Sequence, residues 1–184
     1  MSNSNAPGMS WLFFTLITVF SWGVYGVFLH TGQLGMQDPV NGRYKAFLFV
    51  GIAYFFTAVL APLVLLLVKG ASLSFPVKGL WWSLIAGIVG ALGAFAVLLA
   101  FGAKGQPIVV MSIVFAGAPI VNALYAILAH PPEGGWGGIN PKFYLGIVLA
   151  AVGGFMVSRY KPAPPAPIAK SIAQAMVPTS IAQR

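Results

Sequence analysis

The sequence predicts an all-α integral membrane protein, a bundle of five transmembrane helices, and three observations support this. The chain of 184 residues is 59% hydrophobic but only 7% charged, whereas an average soluble domain is about 25% charged. Long intervals contain no Asp, Glu, Lys or Arg at all. Aromatic residues stand at the borders of these intervals, where their rings favour a membrane interface. Such a chain lacks the charged surface that a soluble enzyme needs.

The charge-free intervals predict where the helices lie. A spanning helix needs about 20 mostly apolar residues, and in lipid the backbone must satisfy its own hydrogen bonds, which a helix does. The predicted spans are residues 11–29, 46–68, 80–101, 108–129 and 143–158. The membrane domain is therefore placed at 11–160, between a polar segment, 1–10, and a proline-rich tail, 161–184.

The first span is expected to be a retained helix rather than a cleaved signal peptide. A signal peptide begins with basic residues, and no Lys or Arg precedes Arg43. The polar connection that follows the first span is predicted at 31–45, with room for a short interfacial turn.

Prolines interrupt the second and fourth spans. Pro62 and Pro119 each remove one hydrogen bond from the helix ladder, so each predicts a kink. A kinked bundle can rearrange, as a transporter must, or it can be static, and both interpretations stay open at this point.

Small residues are predicted to bring the helices together, because lipid does not drive apolar helices into contact as water does. In the third span, Gly87, Gly90 and Gly93 are three residues apart and form one slowly drifting stripe. The same role is predicted for glycines of the first and fifth spans: Gly23, Gly153 and Gly154.

The fifth span has a clear start. Residues 130–140 are rich in proline and glycine and predict a loop. Asn140 can accept a hydrogen bond from a free backbone amide. A proline such as Pro141 in the first helical turn removes no hydrogen bond, because amides there have no partner within the helix. A helix is therefore expected to begin at these two residues.

The Lys and Arg residues favour one orientation. Three of them flank the side that holds the N-terminus, against seven on the other side, or five without the distal tail. Because basic loops stay inside, the C-terminus is predicted in the cytoplasm, in a plasma or inner membrane. The bias is modest, so insertion in both orientations stays open.

The tail beyond Lys161 begins with closely spaced prolines, which keep a backbone extended. Ile168, Ile172 and Met176 then recur every four residues and form a weak apolar stripe. This stripe predicts either a short interfacial helix held by Lys170 or a disordered tail.

The predicted spans contain no ionisable Asp, Glu, Lys or Arg, and the chain contains no cysteine. Intramembrane charges usually mark proton relays and ion pathways, so their absence argues against a proton-coupled exporter. We find no catalytic set, no metal-ligand spacing and no cofactor motif, and therefore expect no enzyme, metal or cofactor. The net charge of +8 is spread over isolated residues, which argues against a nucleic-acid partner.

Uncharged polar and aromatic residues inside the spans are the candidate substrate-binding residues. Asn122 is costly to leave facing lipid, so we expect it to point inward. Together with Trp22, Tyr25 and Tyr125 it can line a cavity for a neutral polar substrate. The alternative is that Asn122 bonds to another helix and that the aromatic rings fill the core.

Three segments resemble the drug/metabolite transporter superfamily, EamA-like branch. The segment SWGVYGVFL (21–29) is similar to its first helix through Trp22 and Gly23. Residues 87–128 resemble its third and fourth helices through a glycine-rich helix, a tight turn, Ala100 and Pro119. Residues 144–162 resemble its fifth helix through three glycines: Gly146, Gly153 and Gly154.

The resemblance implies a half-size transporter. Family members have ten spans in two inverted halves of five, with the substrate between the halves. Five spans then correspond to one half, which needs a second copy or another membrane protein beside it. The implied substrate is a small neutral or zwitterionic metabolite. The alternative from the residues alone is a non-transporting accessory or scaffold subunit of a membrane complex.

Overall fold

The computed structural model describes residues 10–163 and is helical, without a strand, over that range. Five of its helices are long and apolar enough to cross a membrane. They are α1 (Ser10–Gly35), α2 (Gly42–Val68), α3 (Val77–Gly102), α4 (Pro107–Ala129) and α5 (Pro141–Arg159). This confirms the all-α class and the number of spanning-length helices. The predicted apolar stripe of the tail and most of the polar segment 1–10 lie outside the described residues.

The first connection is shorter than the sequence predicted, because α1 runs on to Gly35 and α2 begins at Gly42. A tight turn explains this. Asp38 Oδ1 accepts hydrogen bonds from the amides of Val40, at 3.1 Å, and Asn41, at 2.8 Å, which is how an aspartate mimics a backbone turn. The prediction of a 31–45 loop was wrong because Arg43 and Lys45 lie in the first turn of α2, and charge marks depth in a membrane rather than a helix end.

The start of α5 agrees with the prediction. The amide of Lys142 donates to Asn140 Oδ1 at 2.9 Å, and Pro141 occupies the first turn. A 3₁₀ turn, Gly135–Gly138, precedes this cap. The Tyr144 hydroxyl donates to the carbonyl of Trp136 at 3.3 Å and so ties the loop to α5.

The proline of α2 follows a widened turn of helix. Residues Phe55–Leu60 form a π-helical turn, and the amide of Ala61 bonds the carbonyl of Phe56, five residues back. A proline ring in a regular helix clashes with the carbonyl four residues earlier. A π turn is one recognised way to relieve this clash. Pro119, by contrast, lies inside a continuous α-helix.

Within the described residues, helices α1 to α4 come together closely at one end, which we call the closed end. It carries the connections 36–41 and 103–106. The small core of the molecule lies there and includes one fully buried side chain, Leu98. Gly26 permits the approach of α4 to α1, because a Cβ there would overlap the Met111 side chain. The core cluster is Leu29, Val97, Leu98, Phe101 and Met111.

The opposite end, which carries the connections 69–76 and 130–140, we call the open end. From residue 55 to residue 68, α2 approaches no other described helix closely. All residues from 67 to 93, which include the first two-thirds of α3, are exposed. The two helices therefore diverge from the core, which lies at the closed end.

Helices α4 and α5 form the closest pair. A Cβ on Gly154 would overlap the Cβ of Ala116, so this glycine sets the distance between the two helices. Half-buried positions recur at helical spacing along both facing sides: Ala116, Ile120, Ala123 and Ile127 in α4, and Ile147, Gly154 and Ser158 in α5.

Candidate functional site

Two of the four predicted substrate-binding residues are in contact. The rings of Trp22 and Tyr25 lie 5.6 Å apart between centroids on α1. They nevertheless point into different grooves, because residues three apart on a helix diverge by about 60°. Trp22 lines a groove between α1 and α4, whereas Tyr25 lines a groove between α1 and α2.

The α1–α4 groove is the strongest candidate for a substrate path. Its volume is about 760 Å³, and it runs along the half of α1 that belongs to the open end. It brings together three residues that carry the family resemblance, Trp22, Gly23 and Pro119. The other lining residues are Thr15, Thr18, Val19, Val114, Phe115 and Ala118.

The chemistry of this groove is apolar with a few hydroxyls. The Thr15 hydroxyl donates to the carbonyl of Trp11 at 2.8 Å, and Thr18 donates to Phe14 at 3.0 Å. Each hydroxyl oxygen keeps lone pairs that can accept from a ligand. No lining residue is charged, so the groove suits a solute without net charge.

The α1–α2 groove contains one unusual polar atom. Its volume is about 390 Å³, and Tyr25 projects from α1 among apolar side chains of both helices. The Tyr25 hydroxyl is buried and has no hydrogen-bond partner within residues 10–163. A buried hydroxyl without a hydrogen-bond partner is energetically costly. A solute or a water that bonded to the Tyr25 hydroxyl would remove this cost.

Asn122 and Tyr125 are separated from the other two candidates. Both are exposed on α4, Tyr125 with 66% of its surface accessible. The single chain does not turn Asn122 inward, and its side chain makes no hydrogen bond within the part of the chain described. A neighbouring chain against this face of α4 would cover the two residues. The four-residue cavity therefore stays a prediction.

The α1–α4 groove also contains residues outside the predicted substrate-binding set, among them Thr15, Thr18 and Phe115. Thr15, Thr18 and Trp22 follow each other at spacings of three and four, and Val19 and Gly23 fill the same face. That spacing defines one side of a helix, so the side of the groove that α1 forms could be predicted from the sequence. Phe115 could not, because its position depends on how α4 crosses α1.

Within the described residues, no group of three or more His, Cys, Asp or Glu is placed to hold a metal ion. The two histidines are far apart in the chain, and His30 lies half-buried with its ring 5.3 Å from that of Phe101.

Comparisons with protein-family models, with curated proteins and with solved structures return no match. The class defined by the fold and the grooves is thus an all-helical chain with five helices of membrane-spanning length and an uncharged groove between two of them.

Proposed function

We propose that the protein is a membrane-embedded, half-size transporter that moves a small neutral or zwitterionic metabolite as a pair of oppositely oriented copies. The observation that carries this proposal is the open end. Helices α2 and α3 leave the core there: residues 55–68 of α2 approach no other described helix closely, and residues 77–93 of α3 are exposed.

The small-residue stripe of α3 supports a second copy. Gly87, Gly90 and Gly93 each have open space where a Cβ would stand. In lipid, helices associate through small residues that let backbones approach, and a glycine inside a helix costs up to about 1 kcal/mol relative to alanine. Three glycines on one helix face without a partner are best explained by contact with another chain.

The number of spanning-length helices matches one half of an inverted pair. An odd number of spans inverts a copy that is joined in tandem, and substrate sites in such transporters lie between the halves near the midplane. The predicted orientation bias of the Lys and Arg residues is modest, which suits a chain that inserts both ways. The resemblance to a five-helix half of an EamA-like transporter points the same way.

The groove lining supports the substrate class. Charged groups on a solute need countercharges in an apolar site, and the lining of the α1–α4 groove offers none. Hydroxyls of Thr15 and Thr18 and the ring of Trp22 suit a solute with hydroxyl or amide groups and an apolar part. A zwitterion would carry its own countercharge.

Uptake by proteoliposomes tests the proposal. The full chain is reconstituted, and entry of a panel of radiolabelled amino acids and neutral sugars is measured against empty liposomes. We expect Trp22→Ala to reduce uptake of the active solute by about tenfold, the effect of losing one well-made contact. Trp11→Ala is the matched control, because Trp11 lies on the same helix, is 61% exposed and does not line the groove.

A non-transporting accessory subunit is the second candidate. The absence of ionisable side chains in the apolar runs favours it, since it removes one usual means of ion coupling. This candidate predicts a stable co-purifying membrane protein and no solute-dependent uptake. Wild-type protein that forms pairs but transports no member of the panel would contradict the transporter proposal.

A further inference from the structure

A third cavity lies at the closed end and shares no lining residue with either groove. Its volume is about 330 Å³, and it is formed by the last turn of α1, the connection 36–41, the first turn of α2 and the end of α3. Unlike the two grooves, its lining is about half polar and includes Gln33, Asp38 and Arg43. The cavity therefore suits a different kind of ligand from the proposed substrate groove.

Arg43 is the central group of this cavity. Its Nε atom is buried without a hydrogen-bond partner in the range 10–163. The nearest acid does not neutralise it, because Asp38 pairs with Lys45 at 2.7 Å. The guanidinium carbon lies 4.9 Å from the ring centre of Tyr44, which holds one face of the group but accepts no hydrogen bond in its plane.

The end of α3 is shaped to admit the guanidinium. A Cβ on Gly102 would lie 2.6 Å from Arg43 Nη1, so the glycine lets the guanidinium lie against the helix end in its present position. Three carbonyls in the last turn of α3 already accept backbone amides from residues 103–105. The arginine is thus placed closely against the helix end without bonding these groups.

Two more buried atoms lack partners beside Arg43. Gln33 Oε1 faces the same cavity, and His30 Nδ1 lies one turn earlier on the same side of α1. Rotation of the Gln33 amide about its last bond would present two N–H donors instead of the oxygen. Buried polar groups in proteins are nearly always hydrogen-bonded, so the unpartnered atoms of Arg43 and Gln33 in one cavity indicate a missing ligand.

We propose that this cavity binds a phosphate group. The planar fork of a guanidinium matches the oxygens of a phosphate and bonds two of them at once, and the Gln33 amide supplies a further donor. Lys45 does not line the cavity but pairs with Asp38 at its edge, so the three side chains Asp38, Lys45 and Arg43 together carry one net positive charge. Basic pockets at the ends of spanning helices suit phosphorylated headgroups, so the source is either an anionic phospholipid or a soluble phosphate compound.

The test uses the purified full chain and has two arms. In the first, the melting temperature is measured in inorganic phosphate and in chloride at matched ionic strength. In the second, native mass spectrometry compares retention of phosphatidylglycerol with that of phosphatidylcholine. We expect Arg43→Gln to weaken binding in the responding arm by about tenfold or more, as expected for losing charge-assisted hydrogen bonds.

Arg159→Gln is the matched control. Arg159 ends α5 and also stacks on the tyrosine that follows it, 5.6 Å from the Tyr160 ring. We expect this variant to bind like the wild type. A second variant, Arg43→Lys, keeps the charge but loses the fork, and should bind several-fold more weakly while remaining folded.

A response in the first arm identifies a soluble phosphate compound, and a response in the second alone identifies a lipid headgroup. Equal losses in Arg43→Gln and Arg159→Gln would overturn the proposal, since binding would then follow net charge alone. Wild-type protein that responds in neither arm would overturn it as well.

Discussion

The closed and open ends of the molecule differ in packing, and the hydropathy of the helices does not explain the difference. The two most apolar helices, α2 and α3, have mean hydropathies of 2.4 and 2.6, yet they are the ones that leave the core. The closed end holds because Gly26 and Gly154 let α4 approach its neighbours and Leu98 fills the centre. Hydrophobicity thus sets which segments can enter a membrane, and local shape sets which of them pack.

The largest expected effect comes from a side chain forced between α4 and α5. Gly154→Leu would place atoms on Ala116, so we expect the free energy of unfolding to fall by about 3 kcal/mol, the upper range for overpacking. Gly153→Leu is the control, because a Cβ there meets open space. Chemical unfolding in detergent should separate the two variants, and equal losses would contradict the assigned contact.

The next largest effect comes from the core of the closed end. Leu98 is fully buried, whereas Leu92 on the same helix is 61% exposed. A detergent micelle solvates apolar atoms as lipid does, so Leu98→Ala should lose packing alone, about 2 kcal/mol, at the low end for buried leucines. Leu92→Ala should be nearly neutral in the same unfolding assay. A comparable cost at both positions would mean that the core is not confined to the closed end.

A change at the open end should affect association and leave the single chain intact. We expect Gly90→Leu to weaken pairing in liposomes about tenfold, since it fills the small-residue stripe. Gly79→Leu, also in open space on α3, should pair normally. Energy transfer between labelled copies at increasing lipid dilution measures both. If Gly90→Leu leaves pairing unchanged, the glycine stripe of α3 is not part of the interface.

The smallest effect concerns the turn at the closed end. The hydrogen bond from Lys45, and then those from backbone amides, lower the pKa of Asp38 from 3.8 to about 2. Because the pKa is lower in the folded state than in the unfolded state, the ionised carboxylate stabilises the fold. This stabilisation is complete at pH values above the unfolded-state pKa and is lost as the carboxylate is protonated. The melting temperature of the wild type should exceed that of Asp38→Asn at neutral pH. The gap should shrink as pH falls below 3.8 and close near pH 2.

The sequence predicted what depends on composition and on local chemistry. Charge-free runs located the five helices, and Asn140 with Pro141 located the start of α5. Helix ends near Arg43 were missed because a helix can carry charge in its first turn. The difference between Gly153 and Gly154 was not predictable, since it depends on which way α5 faces. The separation of Asn122 and Tyr125 from Trp22 depends likewise on helix crossing.

We propose that an oppositely oriented copy covers the open end, and cysteine labelling tests this arrangement. The chain contains no cysteine, so single cysteines can be introduced in the connections of the two ends as Ser72→Cys and Gln106→Cys. Each is treated with a membrane-impermeant maleimide in intact cells. We expect about half of the chains to label at each position, as two opposite orientations require. Complete labelling at one position and none at the other would contradict the claim.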